Sequence, residues 1–115
     1  MESLNAVKLR GVVGTIRISQ ISETKVARMS VATNYAYRDK DCNAVIETTW
    51  HNVVAWEGKE IIGLESIEKG SKVEVLGRLR SQRFTGEDGV ERTTFEGRAR
   101  SLKVLDENEV LSMEM

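Results

Sequence analysis

Two indoles stand on one parity of the nine-residue run Thr48-Thr49-Trp50-His51-Asn52-Val53-Val54-Ala55-Trp56. The run is rich in β-branched and aromatic residues and stops at Glu57-Gly58-Lys59, the composition of a strand and its end. Side chains on a strand alternate between faces. Thr48, Trp50, Asn52, Val54 and Trp56 therefore share one face, and Thr49, His51, Val53 and Ala55 share the other. The second set is small enough to fill a core. The first carries large flat rings, which serve either as core or as a platform for something flat. Nucleobases are flat, and each ring–base stack contributes roughly 1–3 kcal/mol.

The remaining rings and the cations extend the second possibility. The chain has only two Trp, two Tyr and two Phe. Tyr35 and Tyr37 precede the charged stretch Arg38-Asp39-Lys40-Asp41, Phe84 follows Arg80 and Arg83, and Arg98 and Arg100 lie on a late alternating segment. A single strand of nucleic acid needs aromatic platforms for its bases and interleaved cations for its phosphates. Tyr37, Trp50, Trp56 and Phe84 are thus candidate stacking residues, and Arg38, Lys40, Arg80, Arg83 and Arg98 are candidate phosphate partners. Any one of these charges alone reads as a solvated strand face; their grouping with the rings is the signal.

Catalysis has a poor inventory. The single histidine, His51, and the single cysteine, Cys42, lie on different segments, and no carboxylate pair frames a pocket pattern. No enzyme activity, no cofactor and no metal site are expected. The lone Cys42 excludes an internal disulfide and suits a reducing cytoplasm.

With 115 residues, 40% hydrophobic and 30% charged, the chain fits one soluble domain with a modest core. No apolar run approaches membrane-spanning length, and the first five residues lack a signal-peptide layout. Net charge is −1, but Asp106, Glu107, Glu109 and Glu114 crowd the last ten residues, leaving 14 acidic against 17 basic residues before them. The expected organisation is a mildly basic domain over 1–105 and a short acidic tail over 106–115.

The elements that must position the candidates follow from alternation and breaks. Residues 7–18 form a strand whose apolar parity changes partway, around Gly11 and Gly14, as a bent or bulged strand requires. Residues 26–34, continued by Tyr35-Ala36-Tyr37, and 45–56 form a hairpin with a charged tip at 38–43. Residues 59–69 carry Ile61, Ile62, Leu64 and Ile67 and read as a helix that plugs one end of a barrel, with Lys69-Gly70 as its stop. Residues 71–83 and 91–105 form a second hairpin around a glycine-containing loop. Three strands, one helix and two strands is the order of the OB-fold, a five-stranded Greek-key barrel with a helix between strands three and four.

Several of these residues also carry a family resemblance. Val31-Ala32-Thr33-Asn34, the Arg38-Asp39-Lys40 tip, Thr48-Thr49-Trp50-His51-Asn52-Val53-Val54, Lys69-Gly70-Ser71-Lys72-Val73, Gly77-Arg78-Leu79-Arg80 and Arg92-Thr93-Thr94 resemble the bacterial single-stranded DNA-binding protein family over about residues 5–105. The resemblance implies an OB-fold, a homotetramer, and sequence-nonspecific binding of single-stranded DNA in replication, recombination or repair. It also implies stacking roles for Tyr37, Trp50, Trp56 and Phe84, where many members carry Trp at the first and last of these positions. Asn52 stands where the family often has a basic residue. Members usually continue into a long linker with an acidic Pro-Phe tip that recruits partners; the expectation for this chain is no recruitment by that route. Two other readings use the same residues: a dimeric primosomal OB-fold accessory protein, and a protein–protein interaction module with an aromatic face. His51 is either a satisfied polar residue at an interface or a DNA contact.

Overall fold

The computed structural model describes residues 1–61 and 63–105. Alternation of apolar and polar residues produces five strands: β1 (Val7–Ile21), β2 (Thr24–Arg38), β3 (Ala44–Trp56), β4 (Lys72–Thr85) and β5 (Glu91–Val104). They close a barrel in the order β1-β2-β3-β5-β4, with β4 returning to β1. Every neighbour is antiparallel except β3 and β5, which pair in parallel over Val53-Val54-Ala55 and Gly97-Arg98-Ala99. This is the OB topology expected from the strand order.

The barrel interior is built of small and branched side chains. Val13, Ala27, Met29, Val31, Val53, Ala55, Val73 and Val75 are buried together, and Leu9, Ile16, Ala99 and Leu102 pack against them. The parity change in β1 is a bulge: register shifts between Val13 and Thr15, so Val13 on one side of it and Ile16 on the other both reach the core. Closure brings backbones close together. A Cβ on Gly77 would lie 2.0 Å from the Arg98 carbonyl oxygen, so only glycine lets β4 meet β5 at this bulge.

The helix expected over 59–69 is not what closes the barrel end. The described residues of this segment hold one 3-10 turn, Leu64–Ser66, preceded by Gly63 at φ 69° and followed by Gly70 at φ 93°. Gly63 in the left-handed region interrupts a right-handed helix, and Gly58 and Ile61 exchange backbone hydrogen bonds of 2.8 and 3.3 Å in a tight turn instead. Ile61, Leu64 and Ile67 nevertheless enter the core at a spacing of three residues, so the plug survives without the helix. Ile62 and the acidic tail at 106–115 lie outside the described residues. Lys25 pairs with Glu65 and ties the connection to the start of β2.

Two hairpins run past the barrel. Pairing of β2 with β3 continues to Arg38 and Ala44, and pairing of β4 with β5 continues to Thr85 and Glu91. Beyond Thr33, every β2 residue is exposed. A two-stranded ribbon without a packed face is marginal alone; here cross-strand bonds such as Thr48 Oγ1 to Asn34 Oδ1 at 2.7 Å brace it. Among the described residues no helix is long and apolar enough to cross a membrane.

Two outcomes test this account of the fold. Gly77→Ala should lower stability by about 1–3 kcal/mol, as overpacking does, read as a reduced thermal midpoint. Acid sensitivity is the second. The Arg10 guanidinium, 2.6 Å from Glu74, holds that carboxyl below its ordinary range. A depressed folded value stabilises above the unfolded value of about 4.3 and is lost as pH falls through the folded one. Glu74→Gln should therefore lower the midpoint near neutrality and narrow its gap to the wild type as pH drops below about 4. A gap unchanged with pH would assign no role to this ion pair.

Candidate nucleic-acid interface

Register decides which candidates share a surface. On β3, Val53 and Ala55 point into the core, so Trp50, Asn52, Val54 and Trp56 point out. Val54 is beside Arg98 on β5, and Arg98 is beside Arg78 on β4. Arg80 then pairs with Glu96, Gln82 with Thr94 and Phe84 with Arg92. Trp50, Trp56, Arg98, Arg80 and Phe84 thus lie on one continuous outer face spanning β3, β5 and β4.

None of the six rings belongs to the core cluster. Trp50 is 59% exposed and Phe84 46%. Trp50 lies over the β1 bulge: a Cβ on Gly14 would sit 2.4 Å from its Cζ3 atom. Glycine there gives the indole a flat seat against the barrel wall while its other face stays open. Trp56 is half-buried, with the Arg98 guanidinium carbon 6.0 Å from its ring centroid in a cation–π contact. Phe84 borders a basin lined by Arg80, Gln82, Arg83 and Thr94.

Tyr37 and Arg83 fall on the opposite parity. Tyr37 pairs with Val45, and Arg83 with Thr93, so each faces the other side of its ribbon from Trp50 and Phe84. Tyr37 stacks on Tyr35, with centroids 6.0 Å apart and planes 29° apart. At the tip, Arg38 donates to the Cys42 carbonyl at 3.1 Å, closing the loop that carries exposed Lys40. Arg83 is 3.5 Å from Glu91, a pair with highly exposed partners. Such pairs are weak, on the order of 0–1 kcal/mol, and leave Arg83 available to an anion.

His51 faces the barrel side, and its Nε2 shares a 2.9 Å hydrogen bond with Thr33 Oγ1. The bond gives one ring nitrogen a partner within the chain.

A family model described as the single-strand binding protein family matches residues 4–105. The chain belongs to the single-strand binding protein family. It is 40% identical over 110 residues to single-stranded DNA-binding protein 1 of Xylella fastidiosa, covering 91% of this chain and 79% of that one. It is 34% identical over 106 residues to the single-stranded DNA-binding protein of Neisseria meningitidis, and spans 90% of itself but only 60% of that relative's length. Among solved structures, a Plasmodium falciparum SSB in complex with ssDNA superimposes with a TM-score of 0.78 at 30% identity, covering 92% of this chain and 98% of that chain.

Within this family's barrel, sequence alone overlooked Arg28, Glu96 and Phe95. Arg28 lies beside Val54 on the outer face, and its guanidinium is 3.9 Å from Glu96. Glu96 was one charge in an alternating strand; only the pairing of β5 with β4 puts it 4.0 Å from Arg80 as well. Phe95 shares a parity with buried Gly97, which suggests core, yet it is 58% exposed because the β4–β5 ribbon has left the barrel.

The seat beneath Trp50 yields a test. Gly14→Ala should leave the far-UV spectrum intact but displace the indole. Trp emission should shift and oligonucleotide affinity should fall by roughly 1 kcal/mol, part of one stack. Unchanged emission and affinity would show that Gly14 does not support the ring.

Proposed function

We propose that the chain binds single-stranded DNA with little dependence on sequence, by stacking bases on Trp50, Trp56, Phe84 and Tyr37 and meeting phosphates with Arg38, Lys40, Arg80, Arg83 and Arg98. The observation that carries this reading is the open Trp50 indole on the same outer face as Phe84, Arg80 and Arg98. Exposed rings in a chain with so few aromatics imply a flat partner, because burial in the core would stabilise the fold more. The ssDNA named with the Plasmodium relative supports the same partner.

Binding requires no bond making, and the chemistry we infer is coating and protection of strands exposed in replication, recombination or repair, in the bacterial cytoplasm. The binding unit is taken as residues 1–105. We infer a homotetramer, with a dimer as the simpler alternative that light scattering separates. Tyr37 and Arg83, on the reverse of each ribbon, suit a strand that passes around the hairpin arms rather than along one flat path.

Both tryptophans lie in this surface, so intrinsic fluorescence reports on it directly. Titration with oligo-dT should quench emission, and affinity should fall with salt with a log–log slope of about −0.7 per phosphate contacted. Trp50→Ala should cost about 1–3 kcal/mol of binding while leaving the folded spectrum unchanged. Emission indifferent to oligo-dT at low salt would sink the proposal.

A further inference from the structure

Beyond their three-residue parallel contact, β3 and β5 diverge and open a cleft of about 370 Å³ in the middle of the proposed DNA face. That size is within the range of small-ligand sites, on the order of 300–1,000 Å³. Val53 contributes to its floor and Phe95 to its wall, and Asn52, Gln82, Thr94 and Glu96 supply polar groups. Glu96 is the unexpected member, since a carboxylate repels phosphate.

The Glu96 side chain is only 13% exposed. Its two oxygens face Arg28 and Arg80 at 3.9 and 4.0 Å. Those distances give charge attraction but no direct hydrogen bond. Both oxygens therefore keep accepting capacity, which a ligand with two N–H donors can use. Among the DNA bases, only guanine presents two adjacent donors, N1–H and N2–H, on its Watson–Crick edge. Its O6 and N7 acceptors take guanidinium partners, and two guanidiniums flank this carboxylate.

We propose that this cleft is a nucleobase subsite that selects guanine through the Glu96 carboxylate. The proposal rests on the single-stranded DNA reading and adds a local base preference to otherwise sequence-tolerant binding. Bases elsewhere along the strand stack without being read, whereas the base entering this cleft is read at its edge.

The test uses the full chain and fluorescence titration at one fixed salt concentration. The probes are oligomers of about twelve nucleotides, a length within the site range of OB-folds. One is all dT; the others alternate dT with dG, deoxyinosine, dA or dC, so that any binding register offers the second base to the cleft. Inosine lacks only the N2 amino group. The dT/dG oligomer should bind roughly tenfold tighter than the dT/inosine oligomer, the discrimination of a good bidentate contact. In Glu96→Gln that ratio should fall below about twofold, read within the variant so that any uniform change in affinity cancels. Equal wild-type affinity for the guanine and inosine oligomers overturns the subsite, and that comparison needs no variant to fold. A Glu96→Gln effect of equal size on every oligomer also overturns it, because Glu96 would then act only by neutralising Arg28 and Arg80. Absence of oligo-dT binding would overturn the broader reading as well, which distinguishes the two failures.

Discussion

The short parallel contact between Val53-Val54-Ala55 and Gly97-Arg98-Ala99 is the constraint on which the rest of the molecule depends. It closes the barrel, sets Arg98 against the Trp56 ring and fixes the line along which β3 and β5 part. Parallel partners need a long crossover. Here β4 and the irregular connection at 57–71 supply it, and that connection also plugs the barrel with Ile61, Leu64 and Ile67. One contact thus organises core closure, the cation–π pair and the polar cleft.

The small core makes the aromatic face possible. A closed five-stranded barrel has room for Val, Ala, Met and Leu, and its interior is filled by them. Large rings have no place inside, so they lie on the outer wall or on the hairpin arms, where Trp50, Phe84 and Phe95 remain about half exposed or more. Exposed apolar rings contribute little to folding and favour association. The molecule limits that tendency by interleaving charge: Arg98 covers part of Trp56, and Glu96, Arg28 and Arg80 separate the two ends of the face.

Glycine positions show the same economy in the backbone. Gly77 permits the β4–β5 bulge, and Gly14 sits at the β1 bulge under the Trp50 ring. Sequence reading gave both β1 glycines to strand curvature. For Gly14 that is half of its role, since the space left by its missing Cβ is filled by a side chain from β3, two strands along the sheet. No alternation pattern within β1 contains that information.

Much was legible in the residues themselves. Period-two alternation located all five strands, the parity change in β1 announced a bulge, and the spacing in 48–56 put both indoles on one face, because these are properties of adjacent residues along one extended chain. The same local logic misread 59–69, where apolar spacing near three residues served a turn plug and not an α-helix, with Gly63 deciding the matter. Only the tertiary structure decided that the rings are outside, that Tyr37 and Arg83 face away from Trp50 and Phe84, and that Glu96 stands between two arginines. Those facts depend on cross-strand register and on where each ribbon leaves the barrel. A strand's own sequence specifies two faces, but only its neighbours determine which of them meets water.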